Sequence, residues 1–367
     1  MSTQTASEPE GPSVLRRVVL PGLFLVLLFG ALWVRRPAPA EDLGIKILGR
    51  TMGTTYTVLL VKPGLSPDAQ KALGQAIESR LAEVNQQMST YLEDSEISRF
   101  NRYQGVDAFT VSDPFKDVVQ RSIEVSERSE GAFDVTVGPL VDAWGFGPEG
   151  ERQIPDAKGL AEIRADVGYS KLSVTENGLL KSNPGLRVDL SAIAKGWGVD
   201  QIAALLRERK HSNFMVEIGG EVFVDGLNTD GVEWRLGVEK PTEGSVAVRE
   251  VLGLTNQAIA TSGDYRNFLG EGAERRSHSI DPRTGYPIEH GLAQVTVVME
   301  NCTDADAWAT ALTVLGPDAG FELAESSGWA VLFLIRTEEG VFQEKATQAF
   351  IGLRQDKNES QSEGGTP

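Results

Sequence analysis

The sequence contains a single cysteine, Cys302, and three histidines among its 367 residues. One cysteine excludes an intrachain disulfide and any metal site that needs several cysteines. His211, His278 and His290 are too scattered along the chain to predict a zinc site. The sequence also lacks the P-loop pattern and the H-E-x-x-H pattern of zinc proteases. These absences exclude the commonest locally encoded sites for metals and nucleotides.

Positive charge is scarce as well. The chain has 35 Lys and Arg against 52 Asp and Glu, for a formal net charge of −17, and it has no block of basic residues. A nucleic-acid partner is therefore not predicted. Any bound phosphate must be met by a metal ion, by backbone N–H groups or by a few selected basic side chains. The length allows two domains or one domain with two lobes.

The one long hydrophobic run is at residues 18–34, which carry no charge and follow a polar segment at 1–17. Arginine pairs flank the run, and its length is at the lower limit for a membrane span. The linker at 35–43 includes an Ala-Pro-Ala sequence at 38–40 that resembles a signal-peptidase site. We interpret 18–34 as a cleaved export signal or an uncleaved membrane anchor. This predicts that the rest of the chain lies on the extracytoplasmic, periplasmic side of the membrane.

The main part of the chain combines helical and strand patterns that are partly segregated along the sequence. Partial segregation favours an α+β fold over a regular alternation of strands and helices. A polar tail at 354–367 is predicted to be disordered. The other predictions are strands around Met52-Gly53, a helix at 66–89 capped by Ser66, helices near 114–129 and 192–207, and mostly strands after residue 212.

An Ala-rich helix beginning near residue 304 carries Asp306 and, four residues later, Thr310. At about 100° per residue the two side chains project within about 40° of each other. A carboxylate and a hydroxyl on one face suit a hard cation such as Mg²⁺. Alternatively, Thr303 caps the helix and Asp306 completes a capping box. Caps are commoner than metal sites, which favours the second interpretation from this stretch alone, but it leaves Thr310 unexplained.

The stretch at 188–200 offers a second candidate. The pattern predicts a strand that ends at Asp189 and a helix that begins near Ser191, with Lys195 among small residues. Small residues permit close approach of a ligand, and a helix N-terminus favours phosphate. The alternative is that Asp189 only caps the helix while Lys195 extends to solvent.

Eight segments occur together in an order and spacing that resemble the ApbE family over residues 44–353. The resemblance implies a single two-lobed, T-fold-related α+β domain. It also implies a Mg²⁺-dependent, extracytoplasmic enzyme that moves FMN from FAD onto a Thr or Ser hydroxyl of a protein and releases AMP. The segments are "TMGTTY", "MSTYLEDSEISRFN", "GAFDVTVGPLV", "VDLSAIAKGWGVD", "VEIGGEV", "AIATSGDYRNF", "HSIDPRTGYP" and "TDADAWATAL".

The resemblance also implies roles for individual residues. Lys195, His278 and Asp306 would take part in the chemistry, with His278 as the candidate for proton transfer. Mg²⁺ would be held by the Ala192 carbonyl, Asp306 and Thr310, with Thr303 near the site. The flavin nucleotide would contact Met52, Tyr91, Ala132, Phe133, Asp134, Asp189, Lys195 and His278. Trp197-Gly198 departs from the aromatic-Ala pair that is frequent in the family.

The implied partners are FAD and an acceptor protein of a redox complex. The family offers a subunit of an Rnf-type complex, a subunit of a sodium-pumping quinone reductase, or a NosR-like protein. Two other functions stay open. The same site could transfer to water, as an FAD pyrophosphatase that gives FMN and AMP, or the protein could bind FAD without catalysis. Only the transferase would produce a covalent flavoprotein.

Overall fold

The structure is a computed structural model. It describes residues 44–61, 64–105, 107–146, 156–241, 248–263, 268–269, 276–337 and 341–354. The predicted hydrophobic segment at 18–34 and the linker at 35–43 lie outside the described residues, as does the tail beyond residue 354. Within the described ranges, no helix is both long enough and apolar enough to cross a membrane.

An antiparallel sheet of eight strands organises the described part of the chain. Its strand order is β1-β2-β5-β6-β9-β12-β13-β14, and each neighbouring pair is antiparallel. The strands of the described residues are β1 (Gly44–Thr51), β2 (Thr54–Val61), β3 (Leu172–Thr175), β4 (Gly178–Lys181), β5 (Phe214–Ile218), β6 (Glu221–Asp225), β7 (Trp234–Glu239), β8 (Val248–Leu254), β9 (Gln257–Gly263), β10 (Phe268–Leu269), β11 (Arg276–Ser277), β12 (Leu292–Met299), β13 (Ala330–Arg336) and β14 (Phe342–Ala346).

The helices agree well with the periodicity of the sequence. The helix predicted at 66–89 is present, and the Ser66 hydroxyl accepts a hydrogen bond from the Ala69 N–H at 3.2 Å. The numbered helices are α1 (Pro67–Met88), α2 (Glu96–Arg102), α3 (Asp113–Arg128), α4 (Gly138–Ala143), α5 (Ala157–Arg164), α6 (Ala194–Glu208), α7 (Cys302–Leu315) and α8 (Ala319–Ser326). Residues 348–354 are also helical. The prediction of a fold that mixes helices and strands is confirmed.

The central strands are buried on both faces of the sheet. On β13, Val331 and Phe333 join the large core formed with α1, α6 and α7, whereas Leu332 and Leu334 join a second core with β7 and β8. Alternate residues of a strand point to opposite faces, so a strand covered on both sides becomes apolar throughout. This explains why β13 is apolar from Ala330 to Ile335 and why every residue of β12 from Leu292 to Val298 is buried.

The segment before α6 differs from the prediction. Residues 186–190 form no strand, and α6 begins at Ala194 after a turn. The Asn101 side chain takes the place of a neighbouring strand, because it donates to the Val188 carbonyl and accepts from the Val188 N–H. The Asp189 N–H donates to the Val135 carbonyl at 2.7 Å. These contacts hold the segment extended without a ladder of strand pairs.

The two glycines of α6 lie against other parts of the protein, so the expectation that small residues here admit a ligand is wrong for both of them. A Cβ at Gly196 would collide with the Cys302 carbonyl and would lie 2.8 Å from the Cβ of Asp306. A Cβ at Gly198 would lie 2.9 Å from the terminal methyl of Met52. Gly196 therefore permits α6 and α7 to meet closely, and Gly198 makes room for Met52.

We predict that Gly196→Ala lowers the free energy of unfolding by about 1–3 kcal/mol, because the added methyl overpacks a backbone contact that cannot yield easily. Chemical denaturation measures the change. Gly74→Ala in α1 is the control, since the nearest atom to its Cβ is a methyl of Ile47 at 4.0 Å. That variant should be neutral or more stable by about 0.5–1 kcal/mol. Equal effects at the two positions would contradict this account of the helix contact.

Candidate functional site

A cavity of about 730 Å³ lies against α6 and α7. Its volume falls within the range of about 300–1,000 Å³ that is typical of small-molecule sites. Most of the residues singled out from the sequence line this cavity. They are Tyr91, Ala132, Phe133, Asp134, Asp189, Ala192, Lys195, His278, Asp306 and Thr310. Residues more than 200 positions apart in the sequence thus meet around one space.

Asp306 lies in the wall of this cavity, where it is buried and bound through both carboxylate oxygens. Its Oδ2 accepts a hydrogen bond from the Gly196 N–H at 2.9 Å, and its Oδ1 lies 3.2 Å from Lys195 Nζ. Gly196 is in the first turn of α6, and that helix has no side-chain cap of its own. Asp306 therefore supplies the missing acceptor and places its negative charge at the positive end of the helix.

The capping-box interpretation of Asp306 is wrong. Asn301 is the N-cap of α7, and its side-chain oxygen accepts from the Asp304 N–H at 2.8 Å. The helix therefore begins at Cys302, one residue before Thr303, which places Asp306 beyond the first turn. The capping role that was the alternative to a functional role for Asp306 is therefore excluded.

Thr303 is bound to an aspartate of α6 and does not line the cavity. Asp200 accepts hydrogen bonds from the N–H groups of Cys302 and Thr303 at 2.9 and 2.8 Å, and also from the Thr303 hydroxyl. Burial raises the pKa of Asp200, while these hydrogen bonds oppose the rise. Asp200 of α6 thus caps α7, and Asp306 of α7 caps α6.

Glu221 is a site residue that the sequence interpretation missed. Its Oε1 lies 3.1 Å from Lys195 Nζ, and its side chain is 5% exposed. The Oε2 atom is buried in the cavity wall with no hydrogen-bond partner among the described residues. The only signal in the sequence was the quoted segment "VEIGGEV", in which Gly219 and Gly220 form the turn before β6.

The three charged groups shift one another's pKa values. Burial by itself would lower the pKa of Lys195, but the charges of Asp306 and Glu221 outweigh it and raise that pKa above its usual range. Burial raises the pKa of Glu221 to about 8, with Lys195 opposing the shift and Asp306 adding to it. Lys195 therefore stays protonated. The alternative in which its side chain extends to solvent is wrong, because Nζ is held by Glu221 and Asp306.

The two other aspartates of the cavity hold their own loops in place. The Asp134 carboxylate accepts from the Thr136 N–H at 2.8 Å, from the Thr136 hydroxyl at 2.6 Å and from the Tyr169 N–H at 2.8 Å. Burial raises the pKa of Asp134, and these bonds oppose the rise. Asp189 accepts from the Ser191 N–H at 2.8 Å, which is a local turn contact of the kind that the capping alternative described.

Aromatic side chains contribute much of the remaining wall. Tyr91 is 77% exposed, whereas Phe133 is buried. The ring of His278 meets that of Phe146 edge-on, with centroids 6.4 Å apart. Met52 is the predicted contact that does not line the cavity. It occupies the β1–β2 turn with φ of 48° and packs against Gly198.

The arrangement combines a protonated lysine, a helix N-terminus and exposed aromatic surface in one cavity. An ammonium group and backbone N–H groups suit an anionic group such as phosphate, and exposed rings suit a flat aromatic ligand. This combination defines a binding site for a small molecule that has both features.

Comparison with known proteins agrees with this description. The ApbE family model matches residues 52–333. The chain is 45% identical over 314 residues to the "FAD:protein FMN transferase" of Vibrio cholerae serotype O1 (strain ATCC 39541 / Classical Ogawa 395 / O395), covering 85% of this chain and 92% of that protein. It is 44% identical to the protein of the same name from Haemophilus influenzae (strain ATCC 51907 / DSM 11121 / KW20 / Rd), covering 85% and 92% respectively.

A solved structure is similar to the described fold. "Flavin Transferase ApbE from Vibrio cholerae" superposes with a TM-score of 0.78 at 44% sequence identity, covering 84% of this chain and 98% of that chain. The chain therefore belongs to the ApbE family, and the resemblance found in the sequence is confirmed.

We predict a specific pH dependence of stability from Glu221. Its pKa in the folded protein, about 8, lies above the ordinary value of 4.5, so the unfolded chain releases this proton first as the pH rises. The stability that Glu221 contributes is complete below pH 4.5 and is lost as the pH rises through 8. Relative to Glu221→Gln, the wild type should lose free energy of unfolding across that window.

Urea denaturation of both proteins at several pH values, without added divalent cations, measures this difference. Glu217→Gln on β5 is the control for removing one carboxylate from the same hairpin. Parallel stability curves for wild type and Glu221→Gln between pH 4.5 and 8 would show that burial does not shift this carboxyl.

Proposed function

We propose that this protein transfers FMN from FAD to a Thr or Ser hydroxyl of an acceptor protein and releases AMP. The printed names of its relatives motivate the choice of reaction. The observation that carries it for this chain is the ammonium of Lys195, held by the carboxyl groups of Asp306 and Glu221 at the N-terminus of α6, in a cavity of about 730 Å³.

The cavity walls match the two chemical parts of FAD. Tyr91 offers an exposed ring on which a flat isoalloxazine could stack. Lys195 and the first turn of α6 offer positive charge and N–H groups for a pyrophosphate. A ligand that is aromatic at its ends and anionic in its middle uses both surfaces at once.

The reaction requires alignment and neutralisation of charge more than covalent help from the protein. The acceptor oxygen attacks the FMN-side phosphorus, a new P–O bond forms, and the P–O bond to the AMP phosphate breaks. His278 takes the hydroxyl proton, because an imidazole with an unperturbed pKa of about 6.5 can accept one near neutral pH. Lys195 stabilises the charge that builds up on the leaving phosphate.

The residue types of the wall suit a divalent cation of the Mg²⁺ type. Asp306, Thr310 and Ala192 line the cavity and could offer a carboxylate, a hydroxyl and a backbone carbonyl oxygen, and hard cations prefer oxygen ligands. The described residues contain no group of three His, Cys, Asp or Glu side chains that could hold a metal alone. A cation here would therefore need the hydroxyl, the carbonyl or ligand oxygens. Mg²⁺ bound there would neutralise phosphate charge.

The cellular setting is part of the same proposal. The hydrophobic segment at 18–34 would export the chain or anchor it in the membrane, with the cavity on the periplasmic side. The acceptor would be a subunit of a redox complex, of the Rnf, sodium-pumping quinone reductase or NosR-like type. Transfer to water, or binding of FAD without turnover, is the competing outcome.

We predict that Asp306→Asn nearly abolishes flavin transfer while the protein stays folded, because the carboxylate is replaced by a weak cation ligand of equal size. Thr310→Val should shift the dependence on Mg²⁺ in the same direction by a smaller amount. The measurement is covalent flavin on an acceptor domain, read by fluorescence on a denaturing gel, as a function of Mg²⁺ concentration. Melting temperatures are recorded for each protein.

Asp304→Asn is the matched control, because it removes one charge from the same helix at a residue paired with Arg121. If flavin transfer by Asp306→Asn and by Thr310→Val depends on Mg²⁺ concentration as it does in the wild type, α7 does not hold the cation. Release of AMP by the wild type without labelled acceptor would favour hydrolysis, and bound FAD without AMP release would favour a carrier.

A further inference from the structure

Lys195 has two carboxyl partners, and they come from different parts of the fold. Its Nζ lies 3.2 Å from Asp306 Oδ1 on α7 and 3.1 Å from Glu221 Oε1 on β6. Asp306 is also held by the Gly196 N–H, and it lines the cavity together with Thr310 and Ala192. Glu221 has no such second partner among the described residues. Within the described ranges, Lys195 is the only other residue that forms a hydrogen bond or ion pair with the Glu221 side chain.

The backbone of Glu221 is firmly placed. It is the first residue of β6 and pairs with Ile218 of β5, while the next residue pairs with Ile259 of β9. The turn before it consists of Gly219 and Gly220, both with positive φ. The Glu217 carboxylate accepts from the Gly220 N–H at 2.9 Å and closes this turn. A side chain that starts from such a rigid point can fix a flexible neighbour.

Lysine needs that support, because its ammonium is carried on a flexible four-carbon stem. If Asp306 serves the cation as proposed above, its contact with Lys195 weakens when the cation binds. Glu221 is then the partner that remains to hold the ammonium at the cavity wall.

We propose that Glu221 is a positioning residue for flavin transfer, which holds the Lys195 ammonium in the cavity through a hydrogen bond that does not depend on Asp306. The inference rests on the proposed function for its kinetic consequences. It concerns only the carboxyl group of Glu221 and the amine of Lys195, and it assigns no contact between Glu221 and the substrate.

A purely structural role explains Glu221 less well. A carboxyl that is 5% exposed and leaves Oε2 without a partner costs free energy of folding, and an apolar side chain of similar size would avoid that cost. The raised pKa of Glu221 has the same origin in burial. The group is thus poorly placed for stability but well placed to accept a hydrogen bond from Lys195.

The test is a double-mutant cycle with Glu221→Met and Lys195→Met, which remove the polar groups and keep unbranched side chains. Transfer kcat and KM for FAD are measured with the FAD dissociation constant and the melting temperature. Glu221→Met should lower kcat about tenfold or more, since small misplacements of a reacting group are costly. FAD affinity should change by no more than about threefold. The double variant should match Lys195→Met alone.

Two further proteins separate positioning from damage to the hairpin. Glu221→Gln keeps an acceptor oxygen at the same distance, so it should recover most of the lost kcat. Glu217→Met removes the acceptor that closes the turn but leaves Glu221 in place, so it measures damage to the hairpin and should lower kcat less than Glu221→Met does. Failure of Gln to recover activity, or an equal loss at Glu217, would overturn the proposal.

The experiments distinguish failure of the positioning role from failure of the proposed function. Losses of kcat that multiply in the double variant would show that Glu221 acts without Lys195 and would overturn the positioning role. A wild type that labels no acceptor would contradict the transferase assignment instead. In that case the positioning role is tested by the rate at which an amine-reactive reagent modifies Lys195, with the modified residue identified by mass spectrometry. It should rise severalfold in Glu221→Met, and an unchanged rate would refute the inference.

Discussion

Asp306 and Asp200 each cap the helix that carries the other, and the site depends on this reciprocal contact. Asp306 of α7 accepts from the N-terminal turn of α6, and Asp200 of α6 accepts from the first two N–H groups of α7. The glycine at 196 makes the close approach possible. These hydrogen bonds fix the two helix N-termini side by side. They thereby also fix the positions of the residues of α6 and α7 that line the cavity.

The electrostatics of the cavity follow from this arrangement in a chain with a net charge of −17. Strong overall negative charge opposes a phosphate ligand, so local positive charge must be concentrated where the ligand binds. Lys195 provides it and is kept protonated by the carboxyl groups around it. In the proposed function, the Asp306 carboxylate would also bind a cation. One cluster can therefore present an ammonium and, in the proposed function, a divalent ion to the same pyrophosphate.

The sequence predicted helices well, because caps and periodicity are local signals, as at Ser66. It predicted contacts across the chain poorly. The partners of Asp306 lie 110 and 111 positions away, so the capping box was the favoured local explanation. Asn301 and Thr303 are both suitable N-cap residues by type, and the structure has Asn301 in that position. Glu221 gave no periodic or motif signal of its own, since its importance comes from burial beside Lys195. The resemblance to a family supplied what local patterns could not.

The central claim is that FAD and a divalent cation meet between α6 and α7 at Asp306 and Lys195. The most direct measurement is a crystal structure of the protein soaked with FAD and Mn²⁺, with anomalous scattering used to locate the metal. The account predicts an anomalous peak at the Asp306 carboxylate and Thr310, with the pyrophosphate beside Lys195 and the flavin ring near Tyr91. A metal peak away from α7, or FAD bound outside this cavity, would contradict it.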